Sequence, residues 1–158
     1  MKYVVYTDGS YVHNDVAEAY GFAASYEPCC KNPKVTLVEG AGNKPEYLKH
    51  HNVAPEILAV VAVCEQLIAH KEELNLDEVE LIHDYEGIGK WINGEWKKTN
   101  YELTQQYKKY MLTRACPILN LTPTWVKAHT GKCIGNTRVD FRARENAKAK
   151  LRELSREV

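Results

Sequence analysis

The sequence predicts an α/β fold in one domain spanning residues 1–158, built as a mixed sheet of five strands with helices packed on it. Two observations predict it. Three strand-like segments follow one another at the start with turn-formers between them, and beyond them helical and strand patterns take turns in the order α-β-α-α-β-α. No internal repeat, low-complexity tract or Gly/Ser linker divides the chain. A length of 158 residues with 44% hydrophobic content suits one core, large enough to bury roughly 70% of the surface of the unfolded chain.

Residues 3–10 alternate apolar and polar, 19–27 read Ala-Tyr-Gly-Phe-Ala-Ala-Ser-Tyr-Glu, and 34–40 read Lys-Val-Thr-Leu-Val-Glu-Gly. These are expected to be three consecutive antiparallel strands. From Val53 to about His70, apolar residues fall at Ile57, Val60, Val61, Cys64, Leu67 and Ile68, with Pro55 in the first turn where a helix accepts it. A long buried helix is predicted. Residues 78–82 read as a strand, 86–92 as a short helix, and 101–114 as an amphipathic helix stopped near Pro117. A last strand is expected at 122–127. A closing helix from Asn136 onward carries Val139, Phe141, Ala143, Ala147 and Leu151.

Composition excludes several classes. The start lacks the apolar core of a secretory signal, and no run reaches membrane-spanning length, so a soluble, cytoplasmic protein with no membrane partner is expected. Five cysteines, odd in number and irregular in spacing, argue for free thiols rather than a disulfide framework. Zinc held by Cys29, Cys30, His50 and His51 lacks the usual ligand spacing. The 21 basic and 21 acidic residues balance. The basic ones nevertheless gather at Lys90, Lys97, Lys98, Lys108, Lys109 and Arg114, and again at Lys127, Lys132, Arg138, Arg142 and Arg144. A solvated helix face explains such runs more often than a phosphate track does.

Four acidic residues each have an ordinary local explanation. Asp8-Gly9 suits a hairpin turn, Glu56 after Pro55 complements a helix N-terminus, Asp84 stands where a helix would be capped, and Asp140 follows a possible Asn136 cap. Their contexts taken together say more. The first strand carries Tyr6-Thr7-Asp8-Gly9-Ser10, and the first long helix opens Asn52-Val53-Ala54-Pro55-Glu56. The fourth strand ends Ile82-His83-Asp84-Tyr85-Glu86, and Trp91-Ile92-Asn93-Gly94 follows. Near the end stand Trp125-Val126-Lys127-Ala128-His129-Thr130-Gly131 and Asn136-Thr137-Arg138-Val139-Asp140.

In order and spacing over nearly all of residues 3–150, the sequence resembles the type 1 ribonucleases H. The resemblance implies a ribonuclease H-like fold, with three antiparallel strands, then two parallel ones, and helices on both faces. It implies an endoribonuclease that hydrolyses the RNA strand of RNA–DNA hybrids and leaves 5′-phosphate and 3′-hydroxyl ends. Asp8, Glu56, Asp84 and Asp140 would hold two Mg²⁺ ions, with Mn²⁺ as a substitute. His129 would serve as a mobile catalytic histidine in a loop that also carries Gly131 and Gly135. Two ions about 3.5–4 Å apart serve both the attacking and the leaving oxygen of a phosphodiester, and four hard carboxylates suit them better than zinc.

The same resemblance places Gly9, Ser10, Asn14, Asn52 and Glu86 near the minor groove, where the 2′-hydroxyl marks RNA. Lys49, His51 and Asn136 would grip DNA phosphate, and Trp91 and Trp96 would wall the channel. Glu86 stands where many members carry Gln and His51 where many carry Thr. The stretch 93–100 leaves no room for the extra basic helix of some members, and no separate N-terminal hybrid-binding domain is expected. Weaker, more salt-sensitive binding by a monomer without an obligate protein partner is expected. Two alternatives stay open. Integrases, transposases and junction resolvases set acids on a similar sheet, and a non-catalytic nucleic-acid-binding domain could keep the fold.

Overall fold

A computed structural model describes residues 1–96, 101–127 and 133–156. Five strands, β1 (Lys2–His13), β2 (Glu18–Pro28), β3 (Thr36–Gly42), β4 (Glu78–His83) and β5 (Leu121–Trp125), form one sheet in the order β3-β2-β1-β4-β5. The β3-β2-β1 side is antiparallel and the β1-β4-β5 side parallel, as the resemblance implies. Helices α1 (Pro45–Leu48), α2 (Val53–Ala69), α3 (Glu86–Asn93), α4 (Glu102–Tyr110), α5 (Cys116–Leu119) and α6 (Ile134–Arg156) complete the described chain.

Alternation along the strands decides which helix covers which face. Val5, Ala24, Val79 and Leu81 join the main core with Ile57, Val60, Val63, Cys64 and Leu67 of α2. On the other face Ala23 packs with Val139 and Ala143 of α6. The buried residues Gly135, Val139, Ala143 and Ala147 recur every four positions, a stripe of small side chains that lets α6 lie close to the sheet. Backbone meets backbone at Gly21, where an added Cβ would come within 2.3 Å of the Ala147 nitrogen and 2.4 Å of the Ala143 carbonyl oxygen. Both are backbone atoms that cannot swing aside. Gly21→Ala is therefore expected to destabilise the fold by about 1–3 kcal/mol, read as a melting temperature lower by roughly 3–10 °C. An unchanged melt would show that α6 does not sit as described.

The structure corrects three boundaries. Pro117 does not stop the helix near residue 114. A wide turn over Met111–Ala115 precedes it, in which the Cys116 N–H reaches back five residues to the Met111 carbonyl, and Pro117 then takes the first turn of α5, where its missing N–H costs nothing. The closing helix begins at Ile134 rather than Asn136, so Asn136 lies inside it, buried, and is not a cap. The last strand ends at Trp125, two residues early. Among the described residues, no helix is long and apolar enough to cross a membrane.

Candidate active site

Asp8 lies in the middle of a 12-residue strand, not in a turn. Strand β4 runs parallel beside β1 with Thr7 opposite His83, so the chain delivers Asp84 next to Asp8 as β4 ends. The cap position of α3 is Tyr85, not Asp84. On α2, Glu56 belongs to the first turn but points inward and is only 5% exposed. What lets it approach is Gly9, where a Cβ would lie 2.3 Å from the Glu56 nitrogen and 2.4 Å from the Pro55 carbonyl carbon. Asn52 ties the same corner, its Oδ1 accepting the Tyr11 N–H at 2.9 Å.

Carboxylate oxygens of Asp8, Glu56 and Asp84 come within 4.8 Å of one another. Asp140 of α6 lines the same cleft of about 420 Å³ and accepts from Arg144 Nε at 3.2 Å. Such a cluster works against its own ionisation. Burial, more than anything else, pushes the Asp8 carboxyl up to about 8; the Asp84 charge and the hydrogen bond with Asp140 add to the rise, and a hydrogen bond from Glu56 and the Gly9 N–H oppose it. Glu56 is raised well above the ordinary carboxylate range, by burial first and the Asp8 charge second. Its Oε2 is buried with no hydrogen-bond partner, and the donor set is hard oxygen alone. These residues fit a hard divalent cation, which would neutralise the cluster and satisfy the orphaned oxygen.

Against protein-family models, residues 1–148 match that of RNase H. The chain belongs to the RNase H family. Its sheet order and carboxylate cluster sit on a fold shared with solved relatives. LC11-RNase H1, isolated from compost by a metagenomic approach, superposes with a TM-score of 0.72 at 21% identity, covering 95% of this chain and 98% of that one. RNase H1 from Halobacterium salinarum NRC-1 gives 0.63 at 20% identity, with 94% and 99% covered. The N-terminal RNase H domain of rv2228c from Mycobacterium tuberculosis gives 0.70 at 17%, with 96% and 97% covered. No curated protein matches the chain by sequence. At these identities the solved structures speak for the fold.

The RNase H cleft gathers some of the predicted substrate residues and not others. Gly9, Ser10 and Asn52 line it with the four carboxylates. Lys49 and His51 line an adjoining pocket of about 250 Å³, walled by Trp91 and Tyr101 and sharing Tyr85 with the cleft. Trp91 is a buried wall, 6% exposed, whereas Trp96 is 37% exposed and packs edge-on against it at 5.3 Å. Glu86 pairs with Lys90 at 3.0 Å and faces a separate depression beside His83 and Trp125.

Asn14 is occupied elsewhere. Its Oδ1 accepts the Val16 and Ala17 N–H groups in the β1–β2 turn, and its Nδ2 donates to Ser155. Asn136, a buried residue of α6, lines neither the cleft nor the Lys49–His51 pocket. His129 lies outside the described residues.

Sequence reasoning missed several neighbours. Tyr85 divides cleft from pocket, Tyr11 stacks on His51 at 4.5 Å, and Trp125 Nε1 donates to the Asp84 carbonyl. Only Arg144 left a legible signal, since an acid and a base four apart on a helix face each other. In the sequence it stands as part of a basic run.

Proposed function

We propose that this RNase H-family chain is an endonuclease that hydrolyses the RNA strand of RNA–DNA hybrids, leaving 5′-phosphate and 3′-hydroxyl ends, with two divalent ions held by Asp8, Glu56, Asp84 and Asp140. The observation that carries the proposal is the convergence of these carboxylates around a buried, unpartnered Glu56 oxygen. A pure binder of polyanions gains nothing from burying negative charge where its ligand must lie. Mg²⁺, or Mn²⁺ in its place, would supply Lewis-acid stabilisation of the attacking and leaving oxygens.

The chain's own residues supply the rest. Asp8, central between Glu56, Asp84 and Asp140, fixes where the reacting phosphate sits. Glu56, held against Gly9, is positioned to accept a hydrogen bond from the attacking water on the side where the RNA 2′-hydroxyl would lie. Ser10 and Asn52, on the cleft wall, offer the polar groups that read that hydroxyl. Lys49 and His51 lie one wall away, where the DNA strand's phosphate would run. His129 is assigned the proton shuttle for product departure. LC11-RNase H1 has been solved in complex with an RNA/DNA hybrid, and its chain is covered to 99% at a TM-score of 0.70, which supports the substrate assignment.

An end-labelled hybrid incubated with Mg²⁺ or Mn²⁺, beside single-stranded RNA, duplex RNA, duplex DNA and a four-way junction, tests the reading. Cleavage is expected only in the RNA strand of the hybrid, and a chelator should stop it. A protein that binds the hybrid yet leaves it whole with either ion would be a binding domain instead.

A further inference from the structure

Of the four carboxylates, three are held by regular structure: Asp8 by a strand paired on both sides, Glu56 and Asp140 by helices. Asp84 is the exception. It lies in the bend between the end of β4 at His83 and the start of α3 at Glu86. Yet it must present its charge to two other carboxylates that repel it.

The bend is held from behind. Three successive carbonyls each accept a hydrogen bond: His83 from the Val126 N–H at 2.9 Å, Asp84 from Trp125 Nε1 at 3.0 Å, and Tyr85 from His83 Nδ1 at 2.8 Å. The first two carbonyls belong to the two peptide planes that flank the Asp84 Cα. Because each plane is rigid, fixing both carbonyls fixes φ and ψ of Asp84 and so the direction of its Cβ. One of those two bonds is backbone and comes with the β4–β5 pairing. The other depends on a side chain.

That side chain is placed for bonding more than for burial. Trp125 ends an edge strand and its ring remains 50% exposed. A tryptophan used for packing alone would bury more of its large surface. On its inner side it meets a depression lined by His83, Gly89 and Pro123. From there its indole N–H reaches the Asp84 backbone.

We propose that Trp125 is a positioning residue for Asp84: its indole N–H fixes the Asp84 carbonyl, aims the carboxylate at Asp8 and Glu56, and thereby sets the affinity of the cleft for divalent ions. The inference rests on the proposed function only in requiring that the cleft take up such ions. Outer partners of metal-binding groups commonly govern affinity in this way.

The experiment is a calorimetric titration of Mg²⁺ and of Mn²⁺ into the intact protein without nucleic acid, for wild type, Trp125→Phe, and a protein whose Trp125 indole is replaced by the isosteric benzothiophene. Phe keeps most of the ring packing and the benzothiophene keeps all of it; both remove the N–H. Ion affinity is expected to fall about 10-fold in both variants. The metal-free melting temperature should stay within about 3 °C of wild type. In cleavage assays the ion concentration for half-maximal rate should rise by the same factor, with KM for the hybrid unchanged.

Variants that bind ions as tightly as wild type overturn the inference alone. So does a loss of stability without a loss of affinity, which would make Trp125 a packing residue. A wild-type protein that takes up neither ion overturns the metal reading, and this inference with it.

Discussion

Replacing Asp8 by Asn is expected to reduce hybrid cleavage by at least ~10³-fold while making the metal-free protein more stable above neutral pH. The two effects share one cause. Asp8 stands between Glu56, Asp84 and Asp140, so losing its charge removes the centre of the cation site. In the absence of a cation, the same charge is a burden to the fold. The Asp8 carboxyl is raised from 3.8 to about 8, chiefly by burial, and Glu56 is raised as well. An acid that binds its proton more tightly when folded contributes stability that is full below its unfolded pKa and is lost as pH rises through its folded one. Metal-free wild type should accordingly melt lower at pH 8.5 than at pH 5.

Asn cannot ionise and has nearly the shape of a protonated Asp. Its neutral amide also relieves Glu56 of the charge that ranks second among the causes of its rise. With one pKa unit equal to ~1.4 kcal/mol, a gain of about 2 kcal/mol at pH 8.5 is a conservative expectation. It corresponds to a melting temperature higher by roughly 4–8 °C. Saturating Mg²⁺ should close the gap by stabilising wild type alone. Scanning calorimetry at both pH values, with chelator and with ion, checks each part. An Asn variant that melts no higher than wild type at pH 8.5 would mean that the carboxylates are not buried together as described.

How far the sequence carried depended on whether a feature is local or tertiary. Strands β1 and β4 and helix α2 were legible because one face of each is buried, which prints a period of two or of about 3.6 on the chain, whereas β2, buried on both faces, was legible as a short run between turn-formers. The start of α6 was not. Ile134 is 77% exposed and Gly135 weakens a helical reading, so nothing before Asn136 announces the helix. Pro117 misled in the opposite direction, because a five-residue turn absorbed it.

The carboxylates were legible as a set only through their motif contexts, since each has a bland local explanation. Gly9 shows why those explanations fail. It follows Asp8 for the sake of a helix crossing 47 positions later in the chain, at Glu56, and not for a turn. Motifs fix position along the chain but not side-chain direction. Asn14 is accordingly engaged in a turn, Glu86 faces away from the cleft, and Asn136 is buried apart from Lys49 and His51. Trp125 was legible as part of a motif but not as a partner of Asp84, because that bond spans 41 residues.

Gly9→Ala should strike both stability and catalysis, the smallest possible side chain producing one of the largest effects. Its methyl group would lie 2.3 Å from the Glu56 nitrogen, 2.4 Å from the Pro55 carbonyl carbon and 2.8 Å from the Pro55 Cβ. Two of these are backbone atoms, and the third belongs to a ring that cannot rotate away. Relief requires β1 and the first turn of α2 to separate by about 1 Å, given the closest distances real Cβ contacts show. The bond from the Tyr11 N–H to Asn52 Oδ1 resists that separation and would be stretched or broken.

Overpacking of this severity is expected to cost ~3 kcal/mol, a melting temperature lower by roughly 6–12 °C. The displacement also carries Glu56 away from Asp8. A shift of about 1 Å in a catalytic group costs on the order of 10²-fold in rate, so cleavage should fall by that factor even at a temperature where circular dichroism shows the variant fully folded. Divalent-ion affinity should fall with it, because the carboxylates no longer converge. A Gly9→Ala protein with wild-type melting and wild-type turnover would mean that α2 does not cross β1 at this point, and that Glu56 reaches the cleft by some other route.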